Sequence, residues 1–466
     1  MTPLPGPILL LAIPALAALL AFLLRRWAPA SMLVAAAASA GLAVLCGQLP
    51  LDRSAYVLGQ EVAFGRPVVI AGRTLMLDAA GQSWLALVFG MAGAAFLLAW
   101  RLRQGRLFFS FGLILLSFYA LVALLPSFEL GVLVLVMGAT PALFLMQGEK
   151  PGPVRGGDRY FLVTLLAAPL LLAAAWLAAQ GQAGDEGVGM VRMALLPAGL
   201  GFGMLLAAFP FGTWMPALTA GAPPLAAALV MSVSQAMALY LAALFLRQAP
   251  WMLQDSKLLE VVQFAGLVTA VAGGLMAAVQ RDLGRLFGYA ALCDVGILWL
   301  AMGSGGSQSL VLGLQHAVNR TTPLLLMGAC LALLRHRAGS DELAALRGTA
   351  RRLPIHTAGF AIGGLALAGF PLTAGFATHW GAIRAVAEAH WPWALLLLAS
   401  SAGIVVGLLR ALAAMLGDEP RDDMGKQPVV RSALVVLAAA LVIGLGVCPQ
   451  LFLPLVERAV EAFALF

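Results

Sequence analysis

Charged side chains are scarce in this sequence. Only 11% of its 466 residues are Asp, Glu, Lys or Arg, while 62% are hydrophobic. Soluble domains carry about 25% charged residues, so this composition excludes a soluble globular protein. Uncharged runs such as Phe161–Ala179 reach about 20 residues, the length that a helix needs to cross a bilayer. The composition predicts an all-α polytopic membrane protein that has the lipid bilayer as a partner.

Cysteine is also scarce, with four residues in the chain and no CxxC spacing that would indicate a metal or cluster site. The sequence contains no haem, flavin or nucleotide motif. We therefore expect no cofactor, no metal and no redox centre in this chain. The net charge of +7 does not indicate a nucleic-acid partner, because positive loops on the cytoplasmic side of a membrane protein account for it.

Hydropathy predicts about 14 spans in one membrane domain. They start near Gly6, Ser31, Ala79, Leu107, Phe128, Arg159, Met190, Pro223, Leu259, Leu283, Ser309, Pro354, Trp391 and Val429. The longest connection joins spans 2 and 3 and contains two β-rich runs around Gly65 and Gly72. These runs predict a hairpin on the membrane face.

Lys and Arg are divided unevenly between the loops. Loops after odd-numbered spans hold about 18 of them, and loops after even-numbered spans hold about 7. Because positive residues concentrate on the cytoplasmic side, the odd loops are predicted to be cytoplasmic. Both termini should then lie on the outer side of a bacterial-type inner (cytoplasmic) membrane.

Two spans contain a Phe-Pro pair among small apolar residues. Phe209-Pro210, followed by Gly212, lies in span 7, and Phe370-Pro371 lies in span 12. Proline removes a backbone donor and clashes with the preceding turn, so each pair predicts a helix break. Spans that are five apart cross in opposite directions, and paired breaks of this kind indicate an inverted repeat and an ion path. Two unrelated proline kinks would give the same pattern.

Ionisable residues inside membrane spans are costly, and each is a candidate for function. The candidates for a proton path are Asp294, His316, Arg320, His379 and Arg410. His316 and Arg320 are four residues apart and share a helix face. Asp294 and Arg320 also fit a structural ion pair, and Arg410 fits a side chain that extends to the interface.

The first half of the membrane region is different. Spans 4 to 8 carry no Lys, Arg, Asp or Glu well inside the apolar segments. We therefore expect ordered water or polar continuity around Asp294, His316 and Arg320 in the second half, and a dry first half.

Four stretches in order resemble a known family. They are "AAFPFGTWMPALTAGAPPLAAALVMSVSQAMALY", "AVQRDLGRLFGYAALCDVGILWLAMG", "LQHAVNRTTPLLLMGACLALL" and "LALAGFPLTAGF". They resemble spans 7 to 12 of the antiporter-like subunits, the proton-conducting membrane subunits of respiratory complex I, Mrp antiporters, membrane-bound hydrogenases and inorganic-carbon complexes. The resemblance covers roughly residues 107–417.

The resemblance implies 14 helices, with two inverted five-helix repeats and breaks in helices 7 and 12. It divides the chain into residues 1–106 with helices 1–3 and the outer hairpin loop, a first repeat at 107–250, a second repeat at 251–417, and a last helix within 418–466. Only some of the charged positions of the family have an ionisable residue in this chain. His316, Arg320 and His379 match a histidine and two lysines of the family. The first-half positions are lost, and Val136, Leu205, Val230 and Ala236 occupy them.

We expect from this resemblance a divergent antiporter-like subunit of a multi-subunit energy-converting membrane complex. Any proton conduction would use the second repeat, and any redox chemistry would belong to other subunits of an oxidoreductase complex. Its partners would be other membrane subunits and a soluble cytoplasmic subunit. Three alternatives remain open: a membrane partner of a soluble protein in inorganic-carbon uptake, a component of an Mrp-type sodium/proton antiporter, or a structural scaffold.

Overall fold

The computed structural model describes residues 4–48, 50–57, 60–100, 102, 104–148, 154–183, 187–248, 252, 255–417, 429–451 and 453–462. Two of the predicted boundaries between segments of the chain, 250/251 and 417/418, involve residues that lie outside these ranges. Five of the cations counted for the topology also lie outside the described residues, namely Arg101, Arg103, Lys150, Arg421 and Lys426.

The described residues form a bundle of α-helices. In chain order these are α1 (Gly6–Leu23), α2 (Ala28–Gln48), α3 (Ala79–Leu98), α4 (Phe108–Leu124), α5 (Phe128–Gln147), α6 (Arg155–Ala183), α7 (Gly187–Leu205), α8 (Trp214–Gly221), α9 (Pro224–Gln248), α10 (Ser256–Val279), α11 (Leu283–Gly303), α12 (Gly306–Asn319), α13 (Thr321–Ala338), α14 (Thr349–Arg352), α15 (Pro354–Leu367), α16 (Phe376–Leu416), α17 (Val429–Val447) and α18 (Leu453–Ala462).

These helices give the predicted spans. Within the described ranges, 11 helices are long and apolar enough to cross a bilayer, and α4, α7 and α15 are shorter apolar helices. Span 7 consists of α7 and α8, and span 11 of α12 and α13. Span 12 consists of α15 and the start of α16, which kinks at His390 and continues as span 13. The predicted all-α membrane fold is confirmed.

The connection between spans 2 and 3 has more structure than the predicted hairpin. It contains two antiparallel hairpins, β2 (Ala55–Val57) with β3 (Gln60–Ala63), and β4 (Val68–Ile70) with β5 (Arg73–Leu75). Strand β3 also pairs in parallel with β1 (Leu4–Pro5). A hairpin is therefore present as predicted, turned at Gly72, and a second one precedes it, while Gly65 packs on Leu51 between the two sheets.

The centre of the bundle is made by α9, α11 and α13. Of the residues in their membrane segments, 89–94% are buried. Helices α1, α2, α10 and α17 instead expose large apolar residues along one side. Such exposed side chains suit contact with lipid or with other membrane proteins. Polar side chains on the central helices are therefore held away from the bilayer.

Span 7 breaks at the first Phe-Pro pair. Helix α7 ends at Leu205, and regular α-helix resumes at Trp214. The break frees backbone groups that only protein can satisfy at this depth. The Phe209 amide donates to Thr269 Oγ1 over 2.9 Å, and Trp299 Nε1–H donates to the Leu206 carbonyl over 3.3 Å. Helices α10 and α11 thus close the break of span 7.

Span 12 breaks at the second pair. Helix α15 ends at Leu367, and α16 begins at Phe376. Asn319 Nδ2 donates to the Ala374 carbonyl over 3.1 Å, which ties the break to span 11. Gly369 has φ = +70°, and a Cβ there would lie 2.5 Å from Cγ of His379. Glycine at this position therefore lets the imidazole pack directly on the broken backbone.

Helices α10 and α11 pack backbone to backbone. A Cβ added at Gly296 would lie 2.3 Å from the Ala270 amide nitrogen, and one at Gly273 would lie 2.7 Å from Cα of Cys293. Small residues at such contacts allow membrane helices to approach closely. This contact fixes α11 within one turn of Asp294.

We expect Gly296→Val to destabilise the bundle by about 1–3 kcal/mol, because the new side chain must push two backbones apart. Thermal unfolding of the purified protein, followed by tryptophan fluorescence, measures the effect. Gly444→Val in α17 is the matched control, since a Cβ there meets no atom within 4 Å. Equal unfolding temperatures for both variants would contradict the tight α10–α11 contact.

Candidate functional site

The deepest charge in the described part of the chain is Asp294. Its side chain is 1% exposed in the middle of α11, and three basic side chains from spans 11 and 12 surround it. An isolated carboxylate at this depth is strongly unfavourable, so its partners decide whether the charge persists. We call Asp294, His316, Arg320 and His379 the Asp294 cluster.

Arg320 is the closest cation. Its Nε donates to Asp294 Oδ2 over 2.6 Å, and its Nη2 donates to the Ala291 carbonyl over 3.2 Å. Its Nη1 donates to Oε1 of Gln235 in α9. The predicted ion pair is therefore present, and the guanidinium also joins the two halves of the membrane region.

His316 uses both ring nitrogens. Nε2 lies 3.1 Å from Asp294 Oδ1 and 3.0 Å from the Asp294 carbonyl oxygen, and Nδ1 lies 2.9 Å from Thr378 Oγ1. The Thr378 hydroxyl also lies 3.0 Å from the Gly375 carbonyl. The Nε2 atom faces two acceptors, so it carries a proton in either charge state of the ring.

The Thr378 hydroxyl makes both states of Nδ1 possible. When the hydroxyl donates to Nδ1, His316 is neutral and every group is paired. When Nδ1 is protonated, it donates to Thr378, and the hydroxyl hydrogen turns to the Gly375 carbonyl. Rotation of one hydroxyl therefore satisfies imidazole and imidazolium alike.

His379 completes the cluster from the far side of the break. Its Nδ1–H donates to the Gly375 carbonyl over 2.9 Å, and its Nε2 lies 3.8 Å from Asp294 Oδ1. Its ring centroid is 5.2 Å from that of His316. The break of span 12 thus places a second imidazole next to the same carboxylate.

Arg410 does not join the cluster. Its side chain is exposed, and Nη1 donates to the Ala278 and Gln280 carbonyls at the end of α10. A cation at a helix C-terminus compensates the free carbonyls and the helix dipole. Arg410 therefore lies apart from the other proton-path candidates, in the position expected of a side chain that extends to the interface.

The four first-half positions without charges pack as apolar residues. Leu205, Val230 and Ala236 are buried, and Val136 is partly exposed. They provide no proton carrier, as the sequence predicts.

A buried hydrogen bond between uncharged side chains is nevertheless present in the first half. Tyr119 in α4 donates to Ser234 Oγ in α9 over 2.6 Å. The polar run "SVSQ" in an otherwise apolar helix was the available signal. Gln235 and Thr378 were missed for the same reason, because uncharged polar residues were not weighed.

The same atoms have a partial resemblance to a metal site. One atom each from Asp294, His316 and His379 lies within 4.8 Å of the others. However, Arg320 already occupies one oxygen of the carboxylate, and its positive charge opposes a second cation. The arrangement suits proton exchange between hydrogen-bonded groups better than coordination of a metal ion.

Comparisons with known proteins agree with this architecture. A profile described as "NADH:quinone oxidoreductase/Mrp antiporter, TM" matches residues 105–405. The chain is 29% identical over 473 residues to NADH-quinone oxidoreductase subunit N of Cereibacter sphaeroides, covering 97% of this chain and 98% of the relative.

Two solved structures have the same fold. One is a chain of respiratory complex I from Thermus thermophilus, with a TM-score of 0.72, 23% identity, and coverage of 95% of this chain and 98% of that chain. The other belongs to the Mrp complex from Dietzia sp., with a TM-score of 0.79, 16% identity, and coverage of 98% and 96%.

Removal of Arg320 tests how far the cluster depends on its ion pair. Arg320→Met should lower the free energy of unfolding by about 3–5 kcal/mol, because Asp294 is left buried without its closest cation. The double variant Asp294→Asn with Arg320→Met should recover most of that loss. Thermal unfolding of the purified assembly measures both, and a double variant as unstable as the single one would contradict the pairing.

Proposed function

The chain belongs to the NADH:quinone oxidoreductase/Mrp antiporter transmembrane family, and from this premise we propose that it is a divergent antiporter-like subunit of a multi-subunit energy-converting membrane complex. In this proposal, protons move through the second repeat by way of the Asp294 cluster. The observation that carries the proposal is the double hydrogen bonding of His316, between Asp294 and Thr378.

His316 acts as the proton carrier in this mechanism. Its Nδ1 takes a proton from the Thr378 side, and the hydroxyl turns to Gly375 as the ring becomes positive. Asp294 compensates that charge at 3.1 Å. Release of the Nε2 proton to Asp294 Oδ1 leaves the ring transiently neutral in its Nδ1–H form. Asp294 then passes the proton to His379, whose Nε2 lies 3.8 Å from the same oxygen.

Arg320 has a different role from the lysine that the family carries at this position. A guanidinium does not deprotonate in proteins, so Arg320 cannot release a proton to its neighbours. It serves as a fixed positive charge that keeps Asp294 ionised and holds its orientation. The variable charge is then left to the two histidines.

The partners follow from the relatives. Proteins named as subunits of NADH-quinone oxidoreductase and respiratory complex I belong to larger assemblies, and we propose other membrane subunits as neighbours here. The large exposed apolar side chains on the outer helices provide surface for them and for lipid. A soluble cytoplasmic subunit would drive the complex or be driven by it.

The repeats are part of the same proposal. Residues 107–250 and 251–417 form the first and second repeat, preceded by residues 1–106 and followed by 418–466. The breaks in α7–α8 and α15–α16 stand at corresponding places in the two repeats. Both termini lie on the outer side of a bacterial-type inner membrane, which rests on the distribution of Lys and Arg.

Topology can be measured by labelling single cysteines in cells with a membrane-impermeant maleimide. A cysteine at Gly339, in the loop after span 11, should react only after the membrane is opened. A cysteine at Arg66, in the hairpin region after span 2, should react in intact cells. Reaction of both positions under the same condition would contradict the proposed orientation.

Proton transfer can be measured in vesicles that contain the whole complex. His316→Gln should lower proton flux at least about tenfold, since a positioned proton carrier contributes about 10²–10⁴-fold in rate. Asp294→Asn should act in the same direction. Assembly of the complex is measured alongside the flux.

His356→Gln is the matched control for the histidine variant. His356 is also a buried histidine, but it lies in α15 outside the Asp294 cluster. Normal flux in assembled His316→Gln and Asp294→Asn complexes would show that this chain is a structural scaffold. Sodium-dependent flux would instead favour the Mrp-type alternative.

A further inference from the structure

A cavity of about 520 Å³ lies at one end of the bundle, on the side that the proposed topology places in the cytoplasm. It is lined by Phe22, Arg25, Arg106, Leu107 and Gly148. These residues lie at the end of α1, just before α4 and just after α5. Both charged residues in this lining are arginines, so the cavity is positively charged. We call it the arginine cavity.

The guanidinium of Arg25 is positioned by an aromatic ring. Its Cζ lies 4.0 Å from the centroid of the Phe22 ring, in a cation–π contact. This contact provides no oxygen acceptor for the N–H donors of the guanidinium. Arg25 is partly exposed and Arg106 is exposed, so a molecule from the membrane surface can reach both. Because guanidinium groups bind phosphate through several hydrogen bonds, two of them at one cavity favour a ligand that carries a phosphate.

The start of α4 adds a partial positive charge at the same place. Leu107 is the N-cap residue of α4, and it makes no side-chain hydrogen bond to the first turn. The first amides of a helix have no partner within the helix, and they attract phosphate groups together with the helix dipole. The dipole of α4 and the two guanidinium groups therefore act in the same direction.

The loop before α4 also contains a buried polar side chain without a partner. Gln104 is 3% exposed, and neither its Oε1 nor its Nε2 has a hydrogen-bond partner among the described residues. Its carbonyl oxygen would lie 3.8 Å from a Cβ built on Gly148, so Gln104 stands at the edge of the arginine cavity. Buried amides are nearly always hydrogen-bonded, and we therefore expect a polar group of a bound molecule or a water beside it.

Apolar side chains lie one helical turn deeper in the membrane than these polar groups. The rings of Phe111 and Phe144 stack with centroids 5.1 Å apart. Each ring belongs to a residue four positions from Leu107 or Gly148, which is about 6 Å along the helix axis. Phe144 is 47% exposed, so an acyl chain can lie against it. Trp27 is 72% exposed near the same end of α1, as is typical of tryptophan at the level of lipid headgroups.

We propose that the arginine cavity binds the phosphate headgroup of one anionic phospholipid from the cytoplasmic leaflet. Basic pockets between membrane helices on the cytoplasmic side suit such headgroups, and the change from charged to apolar lining matches the two parts of a lipid. Arg25 and Arg106 hold the phosphate, and the acyl chains lie along Phe111 and Phe144. The lipid thereby ties the end of α1 to α4 and α5. Only the orientation in the membrane is taken from the proposed function.

Photo-crosslinking in nanodiscs that contain the whole complex tests this site. The probe is phosphatidylglycerol with a diazirine in one acyl chain, diluted into phosphatidylcholine. Mass spectrometry of peptides measures the labelling of α4 and α5 around Phe111 and Phe144. Labelling of the unchanged complex should saturate as the mole fraction of the probe rises. Phosphatidylcholine with the same diazirine should label these helices only in proportion to its mole fraction.

Arg25→Gln and Arg106→Gln each remove one charge from the cavity. A basic residue near the membrane surface contributes about fivefold in affinity for anionic lipid, so each variant should raise the half-saturating mole fraction about fivefold, and the double variant about thirtyfold. The double variant Arg25→Lys with Arg106→Lys keeps both charges and should retain most of the affinity. Equal losses in the lysine and glutamine double variants would show that packing holds the lipid, and would overturn the proposal.

Arg26→Gln is the matched control. Arg26 is exposed, follows Arg25 directly and does not line the cavity. Its loss should change the half-saturating mole fraction little. A loss of affinity as large as that of Arg25→Gln would indicate attraction by the general surface charge and would overturn a specific site.

The remaining outcomes decide between possible occupants. An unchanged half-saturating mole fraction in the double glutamine variant overturns the proposal, and so does saturable labelling by phosphatidylcholine at the same mole fractions. Complete competition by sn-glycerol 3-phosphate would assign the cavity to a soluble anion instead of a lipid. No saturable labelling of the unchanged complex would mean that a neighbouring subunit covers the cavity, and this too overturns the proposal.

Assembly of the complex is measured for every variant. Arg106 is exposed and precedes α4, so Arg106→Gln carries the test alone if the double variant does not assemble. A fivefold rise of the half-saturating mole fraction would then support the site, following the contribution of about fivefold per basic residue, and no change would overturn it. Because the readout is lipid labelling, the result does not depend on whether His316 carries protons.

Discussion

The constraint on which this structure depends is a carboxylate held in the middle of an apolar helical bundle. Asp294 is 1% exposed, and an unpaired charge at that depth would cost several kcal/mol. Its basic neighbours from spans 11 and 12 are therefore parts of one electrostatic unit. Arg320 supplies the permanent charge, while His316 and His379 supply the variable one.

The helix break of span 12 is what allows this unit to form. A regular helix through Phe370-Pro371 would put its own turns where the His379 ring now packs on Gly369. The Gly375 carbonyl, at the start of α16, accepts the His379 backbone amide and also faces His379 Nδ1 and the Thr378 hydroxyl. A carbonyl in the first turn after the break therefore supplies the acceptor that lets a histidine change its protonation state without an unpaired group.

The charged half of the site could be predicted from the sequence, and the uncharged half could not. Asp294 and Arg320 are conspicuous in apolar segments, and the cost of burying either alone predicts their pairing. Ser234, Gln235 and Thr378 give no such signal, since serine, threonine and glutamine occur in membrane helices for packing as well. Arg410 carries the same charge as Arg320, but it lies at the end of a span, where it donates to carbonyls at the end of a neighbouring helix.

The two repeats show two ways to keep polar groups in a membrane. A hydroxyl buried with a partner costs far less than a buried ion, because only a hydrogen bond has to be replaced. The first repeat has apolar residues at Leu205, Val230 and Ala236, and the buried polar side chains described at its centre, such as Ser234 and Gln235, are uncharged. Because such a repeat has no buried charge that must be paired, its packing does not require the charged residues that the family has at these positions. The whole requirement for buried charge then falls on Asp294 and its three basic neighbours.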